Sequence, residues 1–253
     1  MRTNRVRSLW SEKKSAVSGW LSIGNSYSAE IVGHSGVDCV TIDLQHAMTD
    51  ISDMIHMLQA ISATPATPFV RVPGNDPTVI MKALDAGAYG LICPLVNSAE
   101  EARDFVYATM YPPRGLRSFG PSRGLLYGGS DYVARANETI VRLAMIETQE
   151  GLASVREICE VDGLDGIFVG PNDLGLSLGK GTTSDPTDKD VCDAIDACLA
   201  AATAAGKRAG IFCPDGRVAR RRADQGFSFV VPGSDVNLLK SALATELKAL
   251  EDQ

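Results

Sequence analysis

The chain of 253 residues has the composition of an ordinary globular protein, with 45% apolar and 22% charged residues. Its 24 Lys and Arg are outnumbered by 31 Asp and Glu, and the formal net charge is −7. This balance argues against a nucleic-acid-binding protein, which typically carries a basic surface. Ordinary apolar content and the lack of a strict repeat argue against intrinsic disorder, collagen and coiled coil.

The chain shows no sign of export or membrane insertion. Its basic start, MRTNRVRSLWSEKKS, is followed by no apolar stretch, so no secretory signal is predicted. No run of about 18 uncharged apolar residues predicts a membrane span. The six cysteines form no CxxC pair and do not cluster with the three histidines, which predicts reduced, buried thiols. We therefore expect a cytoplasmic protein with no membrane and no nucleic-acid partner.

Short apolar runs rich in β-branched residues recur along the chain and alternate with helical patterns. Near-continuous apolar strands of this kind are typical of parallel sheets covered on both faces. The runs lie at 19–23, 39–43, 68–72, 90–93, 142–147, 166–170, 208–213 and 227–231.

Helix signals fill the segments between these runs. Asp76 and Pro77 predict a helix start and Gly87 its end, and Ser98 with Glu101 predicts a capping box. An alanine-rich helix is expected over 190–205. The last segment carries a leucine stripe at helical spacing, Leu239, Leu243, Leu247 and Leu250.

Eight strands alternating with helices predict an α/β fold, a (β/α)8 barrel forming one domain over 1–253. A doubly wound open sheet is the alternative, and the strand count favours the barrel. Two long connections, 111–140 and 171–190, follow the carboxyl ends of strands four and six. Long loops in compact domains tend to be functional or disordered, and barrel enzymes place their chemistry at this end.

Charged residues end several of these strands. Strand two ends with Asp43, followed by His46, and strand three ends at Arg71. Strand five ends with Glu147, and Asp173 lies just past strand six. Because charges are costly to bury without partners, their occurrence at one mouth of the barrel predicts a functional site.

The residue types predict a chemistry. Glu147 and Asp173 are hard oxygen ligands suited to Mg²⁺ or Mn²⁺. Arg71 offers a fork of donors to a carboxylate or to an enolate oxygen. His46, next to Asp43, is typical of an imidazole that a carboxylate orients for proton transfer. Together these groups predict proton abstraction or carbon–carbon cleavage beside a carbonyl.

Each of these residues also has a structural interpretation. Arg71 could pair with a nearby carboxylate without any role in catalysis. Glu147 could cap a helix starting near Gly151. His34 and His56 lie within helical patterns, and we expect no catalytic role for them.

The ordered set of motifs resembles the HpcH/HpaI family of metal-dependent, class II pyruvate aldolases, within the phosphoenolpyruvate/pyruvate barrel superfamily. The resemblance runs from about residue 19 to 236, nearly the whole chain. It includes TIDLQH, RVPGNDP, LDAGAYGLICPLVNSAEEA, YPPRGLRSFG, IET and VGPNDLGLSLG.

The resemblance implies reversible aldol cleavage of 2-keto-4-hydroxy acids to pyruvate, or a related keto acid such as hydroxypyruvate, and an aldehyde, through a metal-stabilised enolate. It implies that Glu147 and Asp173 hold a divalent ion (Mg²⁺, Mn²⁺ or Co²⁺), that Arg71 stabilises the enolate oxygen, and that His46 with Asp43 manages the proton. No lysine ends a strand, which disfavours an imine-forming mechanism.

The resemblance also implies a substrate-binding turn. The backbone amides of the turn from Gly170 to Asp173, which also contains Pro171 and Asn172, should receive the pyruvate carboxylate. Phe212, at the end of strand seven, should line the mouth and limit the size of the acceptor aldehyde.

Two positions are candidates for further contacts. Gln45 stands where many relatives have Glu, which could alter a contact to metal-bound water. Asp85 lies in the last turn of its helix, where a carboxylate is unfavourable. We expect it either to reach an active site across a subunit boundary or to be an exposed, solvated carboxylate.

The acceptor side is less determined. Arg114, Arg117 and Arg123 lie in the glycine-rich long loop, where they either steer an acidic aldehyde or anchor the loop. We favour anchoring for Arg117. In relatives the acceptors include succinic semialdehyde, lactaldehyde and tartronate semialdehyde, and the sequence does not choose among them.

The resemblance also implies a hexamer, a trimer of dimers that exchange their last helix. A monomer could instead bury the leucine stripe against its own barrel. Two other functions stay open: a citrate-lyase-β-like lyase acting on an acyl-CoA thioester, for which the arginine-dense segment 217–222 is the candidate surface, and a barrel that binds keto acids without catalysis.

Overall fold

The structure, a computed structural model, describes residues 1–251. Eight parallel strands pair in chain order and close into a barrel, because β8 pairs with β1 through Ala16 opposite Phe229. The expected (β/α)8 architecture is thus confirmed, and the open doubly wound sheet is wrong. The strands are β1 Ala16–Leu21, β2 Cys39–Asp43, β3 Thr67–Arg71, β4 Gly90–Cys93, β5 Val141–Ile146, β6 Gly166–Val169, β7 Arg208–Cys213 and β8 Phe229–Pro232.

Thirteen helices lie in this described part of the chain, around the barrel and in its connections. They are α1 Arg5–Ser11, α2 Ser26–His34, α3 Ile51–Ile61, α4 Pro77–Asp85, α5 Ala99–Thr109, α6 Ser122–Gly128, α7 Tyr132–Thr139, α8 Gln149–Ala153, α9 Val155–Cys159, α10 Pro171–Ser177, α11 Lys189–Ala204, α12 Gly216–Gln225 and α13 Asp235–Glu251.

The barrel has an inner and an outer core. Aromatic and aliphatic side chains such as Trp20, Phe69, Phe168 and Phe229 fill the inside, while a larger cluster joins the strands to the surrounding helices. Helix α1, which the sequence did not predict, adds Trp10 to the inner cluster, and the Trp10 indole donates to the Ser228 carbonyl at the amino end of the barrel. This end is therefore closed, and the carboxyl end is left for a site.

The first and last strands differ from their predicted bounds. Strand β1 begins at Ala16, three residues earlier than expected, and β8 extends to Pro232. The early part of β1 contains Ser18, whose hydroxyl bonds that of Thr41 at 2.9 Å. Ser18 is a polar side chain with a hydrogen-bond partner inside the barrel wall, and it interrupts the apolar run. The sequence pattern therefore predicted the start of the strand too late in the chain.

The two long connections contain helices. Segment 111–140 holds α6 and α7, and segment 171–190 begins with α10. Buried side chains such as Tyr132 hold the first of them against the barrel. The two segments were predicted as long loops, and this prediction is wrong where α6, α7 and α10 form.

Helix caps agree with the sequence in part. Asp76 caps α4, with Pro77 in its first turn. Ser98 caps α5 by accepting from the Glu101 amide, but the Glu101 carboxylate accepts from Asn97 instead of Ser98. The predicted capping box is therefore only half formed.

None of the helices described in residues 1–251 has the length and apolar character needed to span a bilayer. The six cysteines are free thiols, and all but Cys192 are buried.

Candidate active site

Four charged residues meet at the carboxyl end of the barrel. Asp43 and Arg71 are the last residues of β2 and β3, and Glu147 directly follows β5. Asp173 lies in the first turn of α10, just after β6. Because parallel strands end at the same edge, these side chains surround one mouth, as the sequence predicted.

Asp43 and Arg71 form a buried bidentate ion pair. They stand opposite each other in the register of β2 and β3, with Arg71 Nε to Asp43 Oδ1 at 2.8 Å and Nη2 to Oδ2 at 2.6 Å. The Trp20 ring lies 4.8 Å from the guanidinium carbon, and Met145 Sδ is 3.9 Å from Nη1. Carboxylate, ring and sulfur thus fix the guanidinium at the mouth.

Glu147 is a nearly fully buried carboxylate, 2% exposed. Its Oε1 accepts from the Leu95 amide at 2.8 Å, and Leu95 holds the left-handed backbone conformation, φ 53°. Burial raises the pKa of Glu147 and Asp173 raises it further, while the Leu95 hydrogen bond and Arg71 lower it. Thr148 caps the following helix through the Gly151 amide, so the capping interpretation of Glu147 is wrong.

Gly170 brings the backbone against Glu147. A Cβ at this position would lie 2.6 Å from Met145 Cε and 3.0 Å from Glu147 Oε2. A larger residue would require the Met145 and Glu147 side chains to shift, and Gly170 leads directly into α10, which carries Asp173. The glycine therefore places the start of α10 beside the buried carboxylate.

A cavity of about 210 Å³ opens at this mouth. Small-molecule sites of roughly 300 to 1,000 Å³ hold drug-sized ligands, so this one suits short molecules. Its walls are Trp20, Ser22, Asp43, His46, Arg71, Met145, Phe168, Gly170, Pro171, Asn172, Asp173, Phe212 and Ser234.

His46 lines the cavity, but Asp43 does not orient its imidazole. Asp43 Oδ1 accepts from the Gln45 amide at 2.9 Å and from the His46 amide at 3.4 Å, and both carboxylate oxygens bind Arg71. The predicted pairing of the His46 imidazole with the Asp43 carboxylate is therefore wrong. Register places Arg71 opposite Asp43, so the carboxylate holds the arginine and the loop backbone.

The remaining predicted substrate contacts also reach the cavity. Phe212 meets Trp20 edge to face, with ring centroids 5.6 Å apart, and forms one wall with it. Pro171 and Asn172 also line the cavity, and the Asn172 side-chain amide donates to Ser184 Oγ at 2.9 Å.

Gln45 does not line the cavity. Its Oε1 is buried and finds no hydrogen-bond partner among the residues the structure describes.

Asp85 lies outside the cavity of its own barrel. Its carboxylate accepts from Arg117 Nη2 at 2.8 Å, and Arg117 is fully buried between the rings of Tyr111 and Tyr132. The Asp85 side chain is only 26% exposed, so the expectation of a free, solvated carboxylate is wrong. Asp85 instead holds the loop that carries Arg117, as the anchoring interpretation of that arginine expects.

The other loop arginines also have partners. Arg123 donates to the carbonyls of Ala86 and Leu58 and to Ser62, and Arg114 pairs with Glu138 at 3.4 Å on the surface. Neither lines the mouth cavity.

Five lining residues were missed from the sequence: Trp20, Ser22, Met145, Phe168 and Ser234. Ser22 directly follows β1 and Ser234 lies two residues after β8, so the strand-end rule that found Asp43 could have found them. The aromatic and methionine side chains carried no such signal, because their periodicity is that of any barrel core.

The family model of HpcH/HpaI aldolase/citrate lyase matches residues 17–242. A hydroxypyruvate/pyruvate aldolase of Rhizorhabdus wittichii is 48% identical over 94% of this chain and 95% of its own. A 5-keto-4-deoxy-D-glucarate aldolase of Escherichia coli is 39% identical over 94% and 93%.

Solved structures agree with this assignment. A family protein from Burkholderia cenocepacia superimposes with a TM-score of 0.91 at 32% identity, over 98% of this chain and all of the other. The chain therefore belongs to the HpcH/HpaI aldolase/citrate lyase family and is an enzyme of the aldolase type.

Proposed function

We propose that the chain is a divalent-metal-dependent pyruvate aldolase. It would cleave 2-keto-4-hydroxy acids reversibly to pyruvate, or a related 2-keto acid, and an aldehyde. The observation that supports this most directly is the buried Glu147, which does not itself line the cavity but whose charge interacts with Asp173 and Arg71, two residues that do. The names of the relatives from Rhizorhabdus wittichii and Escherichia coli point to the same reaction type.

The donor set fits a hard divalent cation. Asp173 raises the pKa of Glu147 and so the cost of its charge, and a cation bound by both carboxylates would relieve that cost. Within residues 1–251 no group of three or more His, Cys, Asp or Glu is arranged to hold a metal, so a cation would need the two carboxylates together with water and substrate. Such oxygen ligands suit Mg²⁺, Mn²⁺ or Co²⁺ better than zinc. Such an ion would act as a Lewis acid on the keto group of the substrate.

The chain's own residues then supply orientation and proton transfer. Helix first turns leave amides without intrahelical partners. Gly170 N–H donates to the Ile146 carbonyl and Pro171 has no N–H, so the Asn172 and Asp173 amides can receive the keto-acid carboxylate. Arg71 donates to the keto oxygen as negative charge develops there. His46 accepts the proton of the C4 hydroxyl in the cleavage direction.

Cleavage breaks the bond between C3 and C4 of the substrate. As the C4 hydroxyl loses its proton to His46, its oxygen forms the aldehyde carbonyl and the C3–C4 bond breaks. The electron pair of that bond moves into the enolate of pyruvate, beside Arg71. Protonation of C3 by the same imidazole then gives pyruvate, and the reverse sequence is aldol addition.

The acyl-CoA lyase alternative is less well supported. The candidate nucleotide surface lies on α12, where Arg220 pairs with Asp224, and Arg217 and Arg221 pair with Asp185. A guanidinium that already has a carboxylate partner is a poor site for a second anion. A barrel that only binds keto acids would not need the buried Glu147.

We also propose that α13 is exchanged between neighbouring subunits of a cytoplasmic hexamer. No side chain of α13 is buried, and its leucines Leu239, Leu243, Leu247 and Leu250 are 53–69% exposed. An open groove of about 460 Å³ lies on the outside of β1, β8 and α12, lined by apolar side chains such as Val17, Ala219 and Val230. A barrel helix following β8 would normally cover that position.

The decisive experiment for the activity is proton exchange of pyruvate in D₂O. Metal-free protein restored with Mg²⁺ or Mn²⁺ should exchange the methyl protons, and the metal-free protein should not. Asp173→Asn should lose this response, whereas the exposed control Asp193→Asn should retain it. No exchange with any divalent ion would contradict the proposed function.

A further inference from the structure

Helix α10 carries Asp173, and its own sequence does little to fix its position. The helix has seven residues, begins after Gly170 and has no side-chain cap at its amino end. Because a helix this short is marginal by itself, its position depends on contacts with the rest of the protein. Glu147, the other proposed metal ligand, is by contrast held directly by the Leu95 amide. The position of Asp173 therefore follows from the contacts that α10 makes.

The segment 178–188, here called the strap, returns along α10 towards the mouth. The Lys180 amide donates to the Gly175 carbonyl at 2.8 Å. A Cβ at Gly175 would lie 2.5 Å from the Gly181 carbonyl oxygen, which is too close for these two atoms, so glycine permits the close crossing. The strap therefore lies directly against the helix that carries Asp173.

A side-chain hydrogen bond joins the strap to the first turn of α10. The Asn172 side-chain amide donates to Ser184 Oγ at 2.9 Å, and both residues are partly buried. Asn172 lines the mouth cavity and directly precedes Asp173. The last residue of α10 is held separately, because Ser177 Oγ accepts from the Gln149 amide at 2.7 Å. Ser184 thus acts at the end of the helix where Asp173 lies.

The strap is anchored to outer helices directly after Ser184. The Asp185 carboxylate accepts from Arg221 of α12, and the next residue, Pro186, is buried. The Pro186 carbonyl accepts from Cys192 Sγ of α11 at 3.3 Å. Ser184 is therefore held in place by two outer helices at the point where it meets α10.

The two carboxylates need to be held against their own repulsion. The charge of Asp173 acts on Glu147, which is buried and fixed, so without a cation the repulsion favours movement of Asp173 and α10. A contact that holds the first turn of this helix lowers the cost of bringing both carboxylates to one cation, because the site is already arranged for binding.

We propose that Ser184 is a positioning residue of the metal site: through Asn172 it holds the first turn of α10 where Asp173 and Glu147 can bind one divalent cation. The inference rests on the proposed function and adds a residue to it. Because Ser184 does not line the mouth cavity, its contribution is to metal affinity and not to the chemical step.

Direct titration of the metal-free, full-length protein with Mn²⁺ tests the proposal, with free Mn²⁺ measured by electron paramagnetic resonance. Ser184→Ala should raise the Kd for Mn²⁺ by about twofold to tenfold, the range of one hydrogen bond. Ser184→Thr keeps the hydroxyl and should restore most of the affinity. Thr182→Ala, at an exposed position of the same strap, should bind Mn²⁺ as the wild-type protein does. A wild-type Kd in the Ser184→Ala variant would overturn the proposal.

Two neighbouring arginines of α12 test the anchor of the strap without any change at Ser184 or α10. Arg221→Ala releases Asp185, whereas Arg220→Ala removes the same charge from a pair with Asp224 within α12. Arg221→Ala should raise the Kd for Mn²⁺ by up to about fivefold, the range of an exposed ion pair, and Arg220→Ala should not. This comparison remains informative where Ser184→Ala folds poorly. Equal effects of the two arginine variants would contradict positioning through the strap.

Pyruvate proton exchange separates positioning from a general loss of structure. Ser184→Ala should need more Mn²⁺ but reach a maximal rate close to that of the wild-type protein, which is the pattern of lost binding. A lower maximal rate with unchanged metal dependence would contradict the proposal. Metal-dependent exchange by the wild-type protein with an unchanged Kd in Ser184→Ala would leave the aldolase proposal standing and remove the role of Ser184. A wild-type protein that neither binds Mn²⁺ nor exchanges pyruvate protons would remove both.

Discussion

Asp43 and Arg71 face each other across the adjacent strands β2 and β3, and their side chains form a bidentate ion pair at the mouth of the barrel, 2% and 8% exposed. Because both side chains are almost fully buried, each charge is compensated mainly by the other and not by water. The arginine that is proposed to meet the keto oxygen is thus held by a carboxylate that the sequence had assigned to the histidine.

Removing one member of this pair should cost both stability and activity. Asp43→Ala leaves a buried guanidinium, and loss of one partner from a buried pair typically costs about 3–5 kcal/mol. Denaturant unfolding measures this change, and pyruvate exchange measures the activity. Arg220→Ala, from an exposed pair with Asp224, is the matched control and should cost at most about 1 kcal/mol. Equal losses in the two variants would contradict the role of burial.

The Trp20 ring should raise the rate of pyruvate exchange by stabilising the position of the Arg71 guanidinium. A cation–π contact is worth about 0.5–2 kcal/mol, so Trp20→Leu should lower kcat for pyruvate exchange by about twofold to thirtyfold. Trp20→Phe keeps an aromatic face and should recover most of this loss. Since a purely structural role would respond to volume alone, similar rates for the Phe and Leu variants would show that the ring does not act on the guanidinium.

Asp85 should hold the loop after α5. Burial lowers the pKa of Arg117, but Tyr132 and the hydrogen bond with Asp85 raise it by more, so the guanidinium stays charged inside the protein. Asp85→Ala should destabilise the fold by about 3 kcal/mol, in the range for a broken buried pair, and expose segment 112–123 to limited proteolysis.

The surface pair Arg114–Glu138 supplies the comparison for this loop. Arg114→Ala should change stability by less than about 1 kcal/mol and leave proteolysis unaltered. If Asp85→Ala left the loop protected but abolished turnover, Asp85 would act at an active site instead, as the sequence first allowed.

The leucine stripe of α13 should determine assembly. Leu243→Glu places a charge in the proposed contact and should shift the mass measured by light scattering to that of a monomer. Thr245→Glu adds the same charge on the opposite helical face and should not. A wild-type protein that is already monomeric would exclude the helix exchange.

Much of the fold was predictable because it depends on local patterns. Eight apolar runs of strand length fixed the barrel, and Asp76 with Pro77 marked the start of α4. Where a polar residue found a partner inside the wall, as Ser18 does in Thr41, the pattern shifted the strand boundary. The helices α6, α7 and α10 were missed because they are short and lie in segments rich in glycine and proline.

The sequence by itself determined which charged residues reach the mouth, because chain order and strand ends are one-dimensional properties. Asp43, Arg71, Glu147 and Asp173 were found in this way. Only the tertiary structure decided their partners: that Asp43 binds Arg71 and not the His46 imidazole, that Trp20 covers the guanidinium, and that Asp235 joins two loops separated by most of the chain. The register of β2 and β3 and the closure of the barrel between β8 and β1 create these contacts, and the periodicity of a single strand does not specify which neighbour its side chain will meet.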